Sequence, residues 1–562
     1  MISRSLRHRA PLLWLVLPLM AGLGAGRLGW LSLPPVHLAG GAAALAAIAL
    51  VAAWRAPRMW AWPLAGAMLL IGAATYSRHR AALPEWDTLP PREARLTLRV
   101  TRTFASSEAT RTSGLAEVVG TETHLAELRG QRLYFSLTLP AGGRAPLRGS
   151  EIATVGVLQR LPPQPVANSF DDYLVNAGMN FRLTRGRITA TVRAASPYEQ
   201  FCARLLARMD TLLGMGLENW PERAAILRAM MLGQKGDLSN EERDRFMHSG
   251  TMHLFAINGL HIGVVAVALH CLLALLRCPR PLACAIVLAV LWLDVDTTGA
   301  SPSAVRAFLM LAMVEAAWVV RRPANPLAAL AAAATLNLLL DPLDFFSASF
   351  EMSYAVVAAI LLFGLPLAER MHARWPAFPD LPVTTWAWHH RVRAWLRRRA
   401  LDALGIGCAA TLVSTVSGVE FFSVFATGAL VANLVLVPLA SAVIATGFAS
   451  LVLGLAGVGW AGRLCNEAAG ALIGVIDALI RLGTNVPGAF WSAHFRADWA
   501  GPTAMVAVMF AMMAGYAVGW RRERGGFWPP VAIVALVLIF GVNLARVGNE
   551  QGAAGVSNFR LK

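Results

Sequence analysis

The chain is built from repeated apolar runs, each close to the length of about 20 residues that an α-helix needs to cross a lipid bilayer. Across the whole sequence, 56% of the residues are hydrophobic and only 15% are charged. A soluble protein of 562 residues is far more polar than this. The composition therefore predicts a polytopic α-helical membrane protein.

The sequence changes character between residues 78 and 197, where the apolar runs stop. Segments such as ARLTLRVTRTF, RLYFSLTLP and SEIATVGVLQRL have the two-residue periodicity of strands, with glycine and proline between them. Three spans that start from a basic, cytoplasmic N-terminus would deliver this insert to the outer face of the membrane. We expect a small β-rich extracytoplasmic domain, for which an OB-like barrel is one candidate among several.

The remaining sequence divides around this insert. Residues 1–77 are expected to form a three-helix membrane segment, whose first helix is interpreted as uncleaved rather than as a signal peptide. An amphipathic helical pattern over 198–250 predicts linking helices along the outer membrane surface or beside the insert. Within it, Ser239 and Glu242 have capping-box spacing. Residues 251–547 form the main transmembrane domain, and 548–562 a short tail.

The positions of arginines set the expected orientation of the spans. Arg277 and Arg280, Arg321 and Arg322, and the cluster HHRVRAWLRRR at 389–399 alternate as cytoplasmic loops should. Beyond Leu401 a simple count leaves RRER at 521–524 on the wrong side, so one segment should not cross the membrane.

The segment SVFATGALVANLVLVP at 423–438 is the best candidate for this role. It is short, contains Asn433 and ends at Pro438, as expected of a re-entrant hairpin buried in protein. With this segment re-entrant, the charge pattern predicts about 13 spans and an extracytoplasmic C-terminus.

The net charge of +17 is weak evidence for a nucleic-acid ligand, because the basic clusters between apolar runs explain much of it. The insert is mildly basic, with 14 arginines against 10 acidic residues between Glu85 and Arg193. Its candidate DNA contacts are Arg99, Arg102, Arg132 and Tyr134. The alternative is that Tyr134 and the other aromatic residues of the insert form its core. Six scattered cysteines without CxxC spacing suggest neither a zinc site nor a disulfide framework.

Several polar residues interrupt the apolar runs. A helix through GTMHLFAINGLHIGVVA at 250–266 would place His253 and His261 on one stripe, roughly 12 Å apart and too far to share a metal ion. Asn258 and Gly259 between them weaken a helix, so we expect this span to line a wet cavity. The alternative is that the histidines only hydrogen-bond neighbouring helices.

Three more ionisable residues lie within predicted spans, where each is costly unless it is paired or hydrated. Arg306 and Glu351 are both expected near an outer end, so they could pair or face a pore mouth. Glu315 lies deeper, and an interhelical hydrogen bond is an equally good explanation of it.

Several ordered motifs resemble those of the ComEC family of competence proteins, which are polytopic channels that take up transforming DNA. GTMHLFAINGLHIGVV is similar to the family's GTxHLLAISGLHIG signature, and SPSAVRAFLM at 301–310 to its S-x-x-RA-x-x-M motif. DPLDFFSASFEMSYAVVAAIL at 341–361 and ANLVLVPL at 432–439 also resemble family elements, as do SFDDYLVNAGM and AMMLGQKGDLS.

The resemblance implies an OB-fold insert, a helical channel and transport of single-stranded DNA. The positions that carry over are His253, Gly259, His261, Arg306, Glu351 and Asn433. Asn258 stands where serine is usual and Glu351 where glutamine is common, so we expect modified detail rather than lost function.

Many members of the family end in a metallo-β-lactamase-like domain, which is proposed to degrade one DNA strand. This sequence contains no HxHxDH cluster, so we expect neither a nuclease domain nor a catalytic metal, and no other cofactor is implied. If a strand is degraded, a separate nuclease would have to do it.

The resemblance thus implies a channel in the cytoplasmic membrane that passes single-stranded DNA inward, and we do not expect this chain to be an enzyme. It contains no G-x-x-x-x-G-K-[ST] loop, so a cytoplasmic ATPase or translocase is the expected motor. A periplasmic DNA-binding competence protein is another expected partner. Two alternatives remain: a permease for a different polar solute or polymer, and an intramembrane enzyme that uses the histidines and Glu351.

Overall fold

The computed structural model describes most of the chain. The described residues are 12–31, 33–55, 59–81, 91–104, 110–140, 142–143, 145–162, 165, 169–234, 236, 238–239, 241–242, 246, 259–320, 325–379, 381–486, 488–521, 523 and 525–546.

Helices dominate the membrane part. The first three are α1 Leu13–Arg27, α2 Pro35–Arg55 and α3 Ala61–Ala81. After the insert come α5 Pro197–Gly214, α6 Pro221–Leu232, α7 Gly259–Leu275, α8 Arg280–Thr297, α9 Pro302–Val319, α10 Pro326–Leu340 and α11 Ala348–Arg374. The last are α12 Trp388–Phe422, α13 Ala429–Leu455, α14 Gly459–Thr484, α15 Ala500–Ala517 and α16 Trp528–Gly541.

Within the described residues, six helices are long and apolar enough to cross a membrane by length and composition: α2, α9, α11, α12, α13 and α15. Four shorter apolar helices, α1, α7, α10 and α16, pack beside them. Most of the described helices coincide with predicted spans, which supports the predicted class of helical membrane protein.

The insert is a small closed β-barrel, as the alternating pattern predicted. Its strands are β1 Arg92–Phe104, β2 Arg111–Thr121, β3 Arg132–Thr138, β4 Glu151–Arg160 and β5 Phe181–Arg193. The barrel order is β1-β2-β3-β5-β4, with β3 and β5 parallel. Side chains alternate between buried and partly exposed along β4, so that one face of each strand fills the barrel. A short helix, α4 Phe170–Asn176, lies between β4 and β5.

The region predicted to be a re-entrant hairpin is different in the structure. The segment 423–438 contributes a short strand, β6 Val424–Ala426, and then the first turns of α13, which runs unbroken through Pro438. Proline is tolerated inside membrane helices where neighbouring groups satisfy the freed carbonyl. One helix of 27 residues, which begins within the predicted hairpin, therefore replaces it.

A second, three-stranded sheet ties the ends of several helices together. It consists of β6, β7 Phe490–Phe495 and β8 Val542–Arg546, in the order β6-β7-β8 with antiparallel pairing. These strands adjoin the ends of α12, α14 and α16. The sequence analysis did not predict this sheet, because its strands are short and far apart in the chain.

The linking helices do not lie along the outer membrane surface. Helix α6 is buried along most of its length and belongs to the largest apolar cluster, together with residues of α7, α8, α13 and α14. Helix α5 begins beside the barrel, where Tyr198 hydrogen-bonds Asp296, and ends where Leu212 packs against Gly454.

Those two contacts lie at opposite ends of the bundle. Gly454 is at the end of α13, whose start follows β6 at the barrel side. Helices α5 and α6 therefore form a helical hairpin that enters the bundle from the barrel side. The capping box predicted from Ser239 and Glu242 is confirmed, since each backbone N–H donates to the other side chain.

Candidate functional site

The signature motif begins a helix that carries a buried histidine. Helix α7 starts at Gly259, and His261 in its first turn is only 1% exposed. Its Nε2 lies 3.4 Å from Oδ2 of Asp294, near the end of α8. This pair joins the motif to the neighbouring helix at the barrel-side end. His253 and Asn258 lie outside the described residues.

A second histidine–carboxylate pair lies deeper in the bundle. Oε1 of Glu315 is 2.8 Å from Nε2 of His270, so α9 and α7 are joined by an interhelical hydrogen bond. Glu315 is 3% exposed, and the Cys284 thiol of α8 lies beside it. The sequence analysis missed His270, although it lies in the same apolar run as His261.

Arg306 is paired, but not with Glu351. Its guanidinium is fully buried and donates to Asp344 at 2.8 Å and to the hydroxyls of Ser349 and Ser353. Asp344 also accepts from Asn337, which extends the network to α10. The charge of Arg306 is neutralised by Asp344 and is inaccessible to solvent, in place of the expected pairing with Glu351.

Three other candidates lie in the bundle, on α11 and α13. The carboxylate of Glu351 is within electrostatic range of Glu420 on α12. Asn433 is half-buried in the first turns of α13, and Pro438 is exposed one turn later. The ionisable candidates described in the bundle have different partners: Asp294 for His261, His270 for Glu315 and Asp344 for Arg306.

Tyr134 is not available as a stacking platform. It is 5% exposed and packs against Phe104 and Phe170, whose ring centroids lie 6.3 Å and 5.1 Å from its own. Helix α4 carries Phe170 and covers the outer face of β2 and β3 at this point. The alternative interpretation of this aromatic residue, as part of a core, is the one that the structure supports.

The three arginine candidates on the barrel differ in how accessible their charge is. Arg99 pairs with Glu151 at 2.9 Å, and Arg102 lies over the ring of Phe104 at 5.5 Å. Arg132 faces the membrane part. Burial raises the pKa of Asp341 there, and the nearby charge of Arg132 opposes this effect only in part.

A different basic row lies on the barrel, and sequence reasoning did not single it out. Thr138 on β3 is paired in register with Arg111 on β2 and with Arg187 on β5, so the two arginines flank it on adjacent strands. All three side chains are exposed. A shallow groove beside them is lined by Thr138, Leu139, Pro140, Arg187, Ile188 and Thr189. Only the strand register brings these residues together, so the spacing of arginines in the sequence gave no signal.

The barrel is joined to the bundle at two places. Arg148, before β4, forms an ion pair with Asp296 at the end of α8. From the sequence alone, an aspartate at the end of a span is expected to lie in a solvated loop. On the other side, Gly178 approaches Leu343, and Arg27 at the end of α1 reaches both Asn176 and the ring of Phe346. The barrel therefore rests on the α8–α9 turn and on the 341–347 segment that Arg306 anchors.

Among the described residues, no group of three or more His, Cys, Asp or Glu side chains is arranged to hold a metal ion.

Comparison with known proteins places these features in a family. The model of the competence protein family matches residues 230–522, which is just over half of the chain. ComE operon protein 3 of Bacillus subtilis (strain 168) is 31% identical over 199 residues, covering 35% of this chain and 25% of the relative. The matched part thus spans a quarter of that relative's length. No solved structure matches the chain. The chain is a multi-pass membrane protein that belongs to the ComEC family of competence proteins.

Proposed function

We propose that this protein is the conduit through which single-stranded DNA crosses the cytoplasmic membrane during natural transformation. The match of the competence family to residues 230–522 carries the proposal, because it covers the bundle from α7 to α15. The protein acts as a channel rather than an enzyme, and a cytoplasmic ATPase or translocase supplies the work. A periplasmic DNA-binding protein delivers the strand, and a separate nuclease removes its complement.

The barrel is the receiving module. Its five strands and closed order suit an OB-like fold, a class that binds oligonucleotides on an exposed strand face. Because α4 covers Tyr134, the single-stranded DNA lies instead along the exposed row of Arg111, Thr138 and Arg187. The two guanidinium groups hold phosphates, and the adjoining groove accommodates sugar and base.

The barrel-side end of the bundle faces outward in this proposal. Arg277 and Arg280 lie at the turn from α7 to α8, at the end of the bundle opposite the Asp296 contact with the barrel. Cytoplasmic loops carry an excess of arginine, so this end is cytoplasmic in the proposal. The N-terminus is then cytoplasmic, and the strand enters beside α7.

Transformation frequency after clean deletion of the gene is the first test. Cells that still bind external DNA but yield no transformants would support the proposal. Unchanged transformation in a demonstrably competent strain would overturn it and favour a permease for another solute.

Substitution of the barrel row tests the receiving role. Arg111→Gln with Arg187→Gln should weaken binding of an oligothymidylate to the purified protein and lower the slope of log affinity against log salt by about 0.7 for each lost phosphate contact. Arg99→Gln is the matched control, since Arg99 is already paired with Glu151. A slope that is unchanged in the double variant, or equally changed in the control, would remove this row from the path.

A further inference from the structure

Helix α12 is longer than the membrane requires. Its 35 residues extend about 52 Å, whereas the hydrocarbon core of a bilayer is about 30 Å thick. Residues 401–422 form the apolar part and end at β6, on the barrel side. The preceding turns, Trp388–Ala400, therefore project about 20 Å past the opposite side of the hydrocarbon core.

The projecting turns carry an exposed stripe of apolar and basic side chains. Trp388, Val392, Trp395 and Leu396 follow helical spacing and are 77%, 45%, 56% and 53% exposed. Arg391 and Arg399 lie on the same face, and the guanidinium of Arg399 is 5.7 Å from the centre of the Trp395 ring. We call these six residues the α12 surface.

The segment before α12 folds against a different side of the helix. The ring of Phe378 packs edge-on against Trp386 and His390, and Arg393 lies over it at 5.9 Å. These contacts fix the projecting turns without covering Trp388 or Trp395.

The charge on these turns is one-sided. Five arginines and no acidic residue lie between Trp388 and Ala400. The nearest carboxylate along the helix, that of Asp402, is 2.8 Å from Nε2 of His372 on α11 and is thus already paired. The α12 surface therefore suits a polyanion that also offers flat apolar groups.

We propose that the α12 surface binds single-stranded DNA as it leaves the bundle, an assignment that rests on the proposed function. The arginines hold phosphates while Trp388 and Trp395 stack on bases, which is how sequence-tolerant binding of single strands is achieved. A lipid headgroup is a poorer ligand for the whole surface, because the headgroup layer is only about 5 to 8 Å thick, whereas the helix from Ala400 back to Trp388 extends about 20 Å.

Photo-crosslinking tests this placement in the full chain. The protein is reconstituted in nanodiscs that contain phosphatidylcholine and phosphatidylglycerol, with benzoylphenylalanine in place of Trp395. Irradiation with a labelled oligothymidylate should crosslink the strand at this position. The matched control carries the same probe in place of Trp460, which is 72% exposed at the start of α14, at the same end of the bundle. Crosslinks to phosphatidylglycerol instead of the strand, or equal crosslinking at both positions, would overturn the proposal.

Affinity measurements give a second readout. Trp388→Ala and Trp395→Ala should each weaken oligothymidylate binding about tenfold, and Arg391→Gln with Arg399→Gln should reduce the salt slope. Arg277→Gln with Arg280→Gln is the charge-matched control at the same end of the bundle. Variants of the α12 surface that bind like the wild type would refute the assignment.

The two proposals fail separately. If deletion of the gene leaves transformation unchanged, the conduit itself is wrong, whatever is crosslinked. If transformation requires the gene but Trp388→Ala with Trp395→Ala supports it fully, only the assignment of the α12 surface fails.

Discussion

At the scale of single residues, three pairs of ionisable side chains link different elements of the bundle. Arg306 with Asp344, His261 with Asp294 and His270 with Glu315 all join different elements. Pairing is expected because a lone charge at membrane depth is costly. These pairs hold helices and the 341–347 segment in place, which is a structural role for Arg306 rather than a phosphate-binding one.

The Arg306 network gives a direct test of that role. Arg306→Leu should destabilise the protein by about 3 to 5 kcal/mol, because Asp344 would keep an uncompensated charge in a buried site. Adding Asp344→Asn should recover part of the loss by removing that charge. Thermal unfolding in detergent measures both. A single variant as stable as the wild type would show that the pair contributes nothing.

The sequence could identify which residues need partners, but not the partners themselves. Arg306, Glu315 and His261 stand out because charge and imidazole are rare in apolar runs. Asp344 and His270 were missed because helix packing, and not spacing along the chain, sets which residues meet. For Tyr134 the sequence suggested an exposed DNA contact, whereas the side chain is buried. Its strand position points outward, but α4 covers it, and the strand pattern does not predict this cover.

At the scale of elements, helix positions followed from the apolar runs, whereas the helix connections did not. Helix α13 continues through Pro438, and α5 and α6 enter the bundle although their sequence is amphipathic. At the end of α5, the side-chain amide of Asn466 donates to the carbonyl oxygens of Leu212 and Met215, which lipid could not do.

Helices α11 and α12 approach closely at a pair of glycines. A π turn at Ile360–Gly364 precedes Pro366 in α11. Proline has no backbone N–H to donate, and the altered hydrogen-bond pattern of the π turn accommodates this missing donor. A side chain at Gly405 would place its Cβ 2.6 Å from the carbonyl oxygen of Gly364. The helices can approach this closely only because Gly405 has no side chain.

Gly405→Ala should therefore destabilise the protein by about 1 to 3 kcal/mol through forced separation of the two helices. Gly40→Ala in α2 is the matched control, since a Cβ there meets nothing within 4 Å. It should be neutral or stabilise by up to about 1 kcal/mol from helix propensity. Unfolding temperatures in the same detergent compare them, and equal effects would argue against close packing at Gly405.

At the scale of the whole molecule, the end of α8 connects the barrel to the bundle. Asp296 contacts both Arg148 of the barrel and Tyr198 of α5. Through Asp294, the same helix end also contacts the signature helix. The sequence predicted both modules, but a contact between residues 148 positions apart has no local signal.

Reversing the charges across this joint should test its importance. Arg148→Asp should increase hydrogen exchange of the barrel residues next to it and reduce transformation, while global stability changes by only about 1 kcal/mol or less. Arg148→Asp combined with Asp296→Arg should restore part of the protection, because the attraction is rebuilt with opposite polarity. Equal exchange in the wild type and the single variant would mean that this ion pair does not hold the barrel.

The sheet of β6, β7 and β8 has a consequence for how the protein is made. The barrel is encoded by contiguous residues, so in the proposed orientation it can close soon after Arg193 has been exported. The sheet takes its strands from residues 424–426, 490–495 and 542–546, so it stays open until the last of these has been made. Until then β7 lacks its partner β8 and presents an unpaired edge. In the proposed orientation this edge lies on the outer side of the membrane, where proteases and chaperones can distinguish an unfinished molecule from a finished one.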